Sequence, residues 1–156
     1  RTATRGYGVI VCGSPPDAGS INAAIGRSTR QRTRYTVGGE RQRDAVTHFE
    51  VSERFGEVFA LLDVRLETGR THQIRVHLSH IGHAVAGDSV YGAGAVRAVR
   101  EAPSAVRPLF TAAGRQLLHA QRLEFVHPRT GALIELTDAL PPDMAAILTG
   151  LRQSAG

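Results

Sequence analysis

The sequence predicts an α+β fold, a mixed and largely antiparallel sheet with helices packed on it, and three observations carry that expectation. Apolar residues recur at period two in adjacent runs, Val46 to Arg54 and Phe59 to Glu67, joined by the short turn Phe55-Gly56-Glu57. A second pair of runs, Gln116 to Val126 and then Leu133, Ile134 and Leu136, is joined by His127-Pro128-Arg129-Thr130-Gly131. Two segments carry apolar residues at helical spacing instead: Ile74, Leu78 and Ile81, and then Met144, Ile147, Leu148 and Leu151. A chain of 156 residues, 42% hydrophobic and 21% charged, suits one domain with a real core.

Taken in order, Tyr7-Gly8-Val9-Ile10-Val11-Cys12 reads as a short buried strand, ended by the turn-rich Gly13-Ser14-Pro15-Pro16-Asp17. Tyr7 at its start is open to two readings, core packing with the hydroxyl at the rim or a place in a site. Cys12 is the single cysteine, which excludes an internal disulfide framework and suits a reducing compartment; between Val11 and Gly13 it reads as a core residue. From Arg27 to Arg43 the chain carries Arg27, Arg30, Arg32, Arg34, Arg41 and Arg43 against the single acid Glu40, with Gly38-Gly39 as the expected hairpin turn. All 19 basic residues are arginine and the formal charge is +5, so the basic surface consists of planar forks matched to phosphate. That density favours contact with a nucleic-acid backbone over a merely solvated loop.

In the central stretch, Ala60, Leu62, Val64 and Leu66 alternate with polar residues until Gly69 breaks the strand. Thr71 is then expected to cap a helix that Gly82 stops. Arg70, His72, Gln73 and Arg75 stand around the helix start, where free N–H groups favour an anion. Arg75, next to the apolar Ile74, sits on the helix flank and can reach into a cleft, where it needs a carboxylate. The glycine-bent loop from Gly82 to Gly92 can border such a cleft, and its Asp88 is either a reactive carboxylate or the anchor of an Asx turn. Ala93 to Pro108, rich in alanine and proline, reads as a variable connection within the domain, and Pro141-Pro142-Asp143 opens the last helix.

Several chemistries lack a pattern here. His72, His77, His80 and His83 are four of the seven histidines, but their spacing does not bring them to one point and no cysteine joins them, so no metal is expected. Neither a phosphate-binding P-loop, nor a dinucleotide fingerprint, nor a Gly-x-Ser-x-Gly elbow occurs. With no run of 18 apolar residues and no signal peptide, a soluble cytoplasmic protein without a membrane partner is expected.

Read together, these motifs resemble the RNA pseudouridine synthases of the RluA/RluD type. The resemblance lies in Leu66-Glu67-Thr68-Gly69-Arg70-Thr71-His72-Gln73-Ile74-Arg75-Val76-His77, in Gly82-His83 and Gly87-Asp88-Ser89-Val90-Tyr91-Gly92, and in Tyr7 to Gly13. Ala24-Ile25-Gly26-Arg27, Leu118-His119-Ala120, His127-Pro128 with Thr130-Gly131, and Leu140-Pro141 extend it along nearly the whole chain. It implies the C-terminal portion of one catalytic domain over residues 1–156, which isomerises uridine to pseudouridine in ribosomal or transfer RNA without metal or organic cofactor. In such enzymes an aspartate attacks a flipped-out nucleotide, the glycosidic bond breaks, and the base is rejoined through carbon five. Arg75 is similar in position to the arginine that pairs with that aspartate, and Tyr7 to the tyrosine that packs on the base; Arg70, Thr71, His72 and Gln73 would shape the pocket.

The sequence also departs from the type. The aspartate belongs to a His-Arg-Leu-Asp motif upstream of the tyrosine strand, and none of Asp17, Asp44, Asp63, Asp88, Asp138 and Asp143 stands in one. A start at Arg1, with a strand almost at once, reads as the interior of a longer protein, so the chain is expected to be an inactive fragment of a monomeric parent; the alternative is a non-catalytic RNA-binding module on the same fold. A missing strand would leave unpaired backbone near the N-terminus, through which a fragment could self-associate. Arg75, without its aspartate, is expected to take water, another carboxylate or a bound anion.

Overall fold

β1 (Thr4–Cys12) is the strand on which the sheet is built, and its sequence says why. Val9 and Val11 point to one face and Ile10 and Cys12 to the other, and both faces are covered, so the run is apolar throughout rather than alternating. The structure, a computed structural model, describes residues 4–92 and 95–155. In it β1 pairs antiparallel with β7 (Phe59–Leu66) on one side and β8 (Leu118–Val126) on the other. With β2 (Ala18–Asn22), β6 (Val46–Phe55) and β9 (Leu133–Thr137) they form a six-stranded sheet ordered β2-β6-β7-β1-β8-β9. All of its pairings are antiparallel. The expectation of unpaired backbone near the N-terminus is corrected here: β1 is central, and the edges are β2 and β9.

A separate three-stranded sheet carries Arg27, Arg41 and Arg43, in the order β4 (Tyr35–Val37), β3 (Ile25–Arg27), β5 (Glu40–Arg43), with Arg30, Arg32 and Arg34 in the connection between β3 and β4. Gly38-Gly39 is therefore not a hairpin turn between paired strands, because β3 lies between the two strands it joins. The reason is steric. Gly26 has no side chain, and the connection crosses directly over it; a Cβ at Gly26 would lie 2.5 Å from the Gly38 carbonyl oxygen and 2.6 Å from that of Glu40. Gly38 and Gly39 take left-handed φ values of 79° and 77°, and the Gly38 amide donates to the Ala24 carbonyl at 2.8 Å.

The central helix, α1 (Gln73–His80), starts later than expected and without the predicted cap. His72, not Thr71, occupies the N-cap, in a left-handed conformation (φ 55°, ψ 22°) with no side-chain cap bond. Gln73 satisfies the preceding turn instead: its Oε1 accepts from the Arg70 amide (3.0 Å) and the Thr68 hydroxyl (2.7 Å), and its Nε2 donates to the Val46 carbonyl and Thr47 Oγ1 (both 3.0 Å). At the other end Gly82 does stop the helix. Its φ is 84°, its amide reaches the Ser79 carbonyl at 3.0 Å, and the His83 amide reaches that of Leu78 at 2.9 Å, which is a Schellman closure.

The stretch expected as a connection, 93–108, is largely structured. Its residues 93 and 94 lie outside the described residues; beyond them come α2 (Ala95–Glu101) and, after Pro103, α3 (Arg107–Ala113). Alanine is the strongest helix former, and Pro108 falls in the first turn of α3, where proline is tolerated. Ala98, Ala102, Val106 and Phe110 are buried against Met144, Ile147, Leu148 and Leu151 of α4 (Pro142–Ala155) and against Phe59, whose ring stacks on Phe110 at 5.0 Å. These helices cover one face of the large sheet while Ile74 and Leu78 of α1 cover the other. Ile147 is fully buried in the first of these layers, so Ile147→Ala is expected to cost about 2–5 kcal/mol of stability, read as an earlier urea midpoint.

Candidate active site

The site begins with an ion pair. α1 holds Arg75 on its flank, and the loop after Gly82 returns Asp88 to meet it: Nε lies 2.9 Å from Oδ2 and Nη2 lies 3.0 Å from Oδ1. Asp88 is 1% exposed and Arg75 13%, so the pair is nearly dry. Asp88 Oδ1 also accepts the amides of Val90 (2.9 Å) and Tyr91 (3.0 Å), so of the two roles weighed from the sequence the structure shows the Asx turn, and the carboxylate is otherwise taken up by Arg75. Burial works against its charge, yet the Arg75 guanidinium and the Tyr91 and Val90 amides outweigh burial and hold its pKa below the ordinary value. The same bond to Asp88, against desolvation, raises that of Arg75. Of the three partners expected for Arg75, the structure supplies a carboxylate. The Tyr91 ring covers the guanidinium at 5.0 Å.

Around this pair opens a cavity of about 360 Å³, lined by Tyr7, Leu66, Arg70, His72, Gln73, Ile74, Arg75, Gln116 and Leu118. Tyr7 reaches it from β1, beside an irregularity in the β1–β8 register between Gly6 and Tyr7. Such shifts re-aim side chains and recur near sites. The sequence-predicted Tyr7, Arg70, His72, Gln73 and Arg75 thus come together. Gln73, though, is 2% exposed and its amide is used within the protein, so it shapes the wall rather than offering free groups. Burial first, and then the neighbouring Arg75 charge, lowers the pKa of His72.

Thr71 faces a second, larger cleft of about 530 Å³ with Arg27, Arg32, Tyr35, Arg41 and Arg43, and Arg70 lines both cavities. The Arg70 Nε is pinned to the Asp44 carbonyl at 2.7 Å. Arg27 stacks on the Tyr35 ring at 5.1 Å and donates to its hydroxyl at 2.9 Å. Arg30 and Arg34 do not line this cleft. Among the described residues, the two non-glycine residues with positive φ are Arg41 (52°) and His72 (55°), one in each cavity. Such backbone is held against its preference only where its surroundings determine it.

Sequence reasoning left out Leu66, Gln116 and Leu118 as pocket walls and Tyr91 as a partner of the ion pair. Gln116 and Leu118 carry no local signal, since only the β1–β8 pairing brings them in. Two of the other histidines have structural posts: His77 is buried between the Thr47 hydroxyl (2.7 Å) and the Ala23 carbonyl (2.8 Å), and His83 bonds the Cys12 carbonyl (3.0 Å). Burial raises the Cys12 pKa to about 11, which makes the thiol unreactive. Among the described residues, no three His, Cys, Asp or Glu side chains meet as a metal site would require, and no helix is long and apolar enough to cross a membrane.

A family model described as RNA pseudouridylate synthase matches residues 1–80. An uncharacterized RNA pseudouridine synthase of Chloroflexus aurantiacus is 43% identical over 149 residues, covering 96% of this chain and 42% of that protein. Ribosomal large subunit pseudouridine synthase D of Vibrio cholerae is 41% identical over 155 residues, covering 99% and 47%. Among solved structures, human RNA pseudouridylate synthase domain containing 1 superposes with a TM-score of 0.70 at 26% identity, covering 98% of this chain and 65% of that one. The chain spans somewhat less than half the length of these curated relatives.

The buried His77 gives the stability of the fold a pH dependence. Nε2–H of His77 donates to the Ala23 carbonyl, so Nδ1 must accept from Thr47; a proton on Nδ1 would break that bond, and burial lowers the His77 pKa. The unfolded chain then binds this proton at higher pH than the folded one, so the contribution is complete above about pH 6.5 and is lost as pH falls toward the depressed folded value. Urea titrations across this range are expected to show stability falling on acidification below pH 6.5, with a shallower slope in His77→Gln.

Proposed function

We propose that this chain, which belongs to the RNA pseudouridylate synthase family, supplies the base-binding half of an active site that isomerises uridine to pseudouridine in RNA. The single observation that carries the reading is the convergence of Tyr7 from β1 and Arg75 from α1 on one cavity, directly beside an arginine-lined cleft. The cavity takes the extruded base and the cleft takes the backbone that leads to it. In the reaction the bond from ribose C1′ to N1 of the base breaks, a bond from C1′ to C5 forms, and the proton lost from C5 is balanced by one taken up at N1. Tyr7 packs on the base and assists that proton. Arg75 orients the attacking aspartate, which stands in no motif of this sequence. Because Arg75 binds Asp88 through Nε and Nη2, Nη1 stands outside the pair and offers a donor to a second carboxylate.

Arg27, Arg32, Arg41, Arg43 and Arg70 hold phosphates, with Arg30 and Arg34 on the approach. The names of relatives such as that of Vibrio cholerae support the RNA of the large ribosomal subunit as the target over transfer RNA, and with it a cytoplasmic site of action. A second reading, an RNA-binding module without catalysis, is favoured by the absence of a His-Arg-Leu-Asp motif from this sequence.

The test is tritium release from RNA carrying 5-tritiated uridine, with the intact gene product and with residues 1–156 alone. The intact protein is expected to release tritium from large-subunit ribosomal transcripts and the isolated chain to bind without release. Binding without release by the intact protein would establish the module instead. Tyr7→Phe is expected to lower the rate by about 10²–10⁴-fold. Replacing Arg27, Arg41 and Arg43 by glutamine should leave kcat intact and make log K against log[salt] shallower by about 0.7 for each phosphate of a single strand that is no longer neutralised.

A further inference from the structure

Tyr91 bonds or packs in four ways, and together these join structures that are otherwise separate. Its amide bonds Asp88, its ring covers Arg75, and its carbonyl accepts the Ser79 hydroxyl at 2.7 Å. Its hydroxyl accepts the Tyr35 amide of β4 at 2.9 Å and lies 2.8 Å from His72 Nδ1. Tyr35 in turn carries Arg27 on its ring and its hydroxyl, and its edge meets the His72 ring at 5.8 Å. The arginine-rich sheet is thus bonded, through one phenol, to two walls of the reaction cavity.

Proton counting fixes how that phenol is used. Since the Tyr35 amide already donates to the Tyr91 oxygen, the hydroxyl hydrogen is free to go to His72 Nδ1, and that choice satisfies all three groups. If Nδ1 carried the proton, the oxygen would accept twice and its own hydrogen would be left over. The satisfied arrangement puts the imidazole proton of His72 on Nε2. The left-handed backbone at His72, which a residue without glycine's freedom adopts at a cost, holds the ring in this place.

We propose that Tyr91 is a positioning residue that locks His72 in the Nε2–H tautomer, so that His72 offers a hydrogen-bond donor to a carbonyl oxygen of the uracil ring, and that ties this donor to the sheet that holds the RNA backbone. The inference rests on the function proposed above. Where the accepting oxygen is O4, cytosine carries an amino donor in its place, so a fixed donor there also favours uracil; O2 is common to both bases. Tyr91 touches no reacting atom and acts through His72 and Arg75.

The experiment uses the intact gene product. Long-range nitrogen–proton NMR of the histidine rings reads the His72 tautomer directly in the unaltered protein; Nε2–H is expected, and Nδ1–H would overturn the proposal whatever any variant does. Tyr91→Phe keeps the ring on Arg75 and removes only the hydroxyl. It is expected to leave the fold and the RNA dissociation constant within about twofold, to mix the His72 tautomers, and to lower kcat at least tenfold. Unchanged kcat with an unchanged tautomer overturns the proposal, and so does a loss of folding or of RNA affinity that accounts for the whole defect, since Tyr91 would then be structural only. Absence of product from the unaltered protein counts against the proposed function instead, and the tautomer measurement still stands apart from it.

Discussion

The bond between Arg75 and Asp88 sets the conditions under which the rest of the site exists. A carboxylate 1% exposed would be untenable alone, and removing one partner of a buried pair leaves a charge whose cost is about 3–5 kcal/mol. Here the carboxylate accepts from the guanidinium and from two successive backbone amides, so the charge is held by four donors. Those amides belong to the loop that also delivers Tyr91, and the loop can reach the helix only because Gly87 turns with φ 80°, where a Cβ would lie 2.2 Å from the Arg115 carbonyl oxygen. Electrostatics at the pair and geometry in the loop are therefore one constraint. The loop is fixed by the charge it neutralises.

The scaffold gives this constraint a rigid reference. β1 is covered on both faces and paired on both sides, and Tyr7 projects from it at the one place where its register with β8 shifts. On the other flank, the polar network of Gln73, Thr68, Thr47 and His77 binds the start of α1 to β6, with most of its members buried and bonded. Fully satisfied polar networks of this kind specify one arrangement, since a shift would leave buried groups unpaired. The cavity is thus bounded by a strand, a helix start and a loop that have little freedom relative to one another.

Much of this was legible in the sequence, and what was missed shares a cause. Period-two runs placed β6, β7, β8 and β9, helical spacing placed α1 and α4, and Gly82 as the helix stop followed from local chemistry. Thr71 was misplaced as a cap because Gln73, two residues on, folds back and does that work from a position no capping rule inspects. Gly38-Gly39 reads as a hairpin until Gly26, a dozen residues earlier, lets the chain cross over. The alanine-rich stretch after residue 94 looked like a connection because its partner, α4, lies some 40 residues downstream. In the site, Arg75 announced its need of a carboxylate, whereas Gln116 and Leu118 owe their places entirely to strand pairing. Local signals were readable; long-range ones required the fold.

Arg70 lines both cavities while its Nε is anchored on the Asp44 carbonyl, so a single side chain is the party wall between them. The two compartments are consequently not modular. An engineer can resurface the arginine cleft at Arg27, Arg32, Arg41 or Arg43 without touching the lining of the smaller cavity, but any change at position 70 alters both volumes together, so selection for a new grip on the large side is also selection on the shape of the small one.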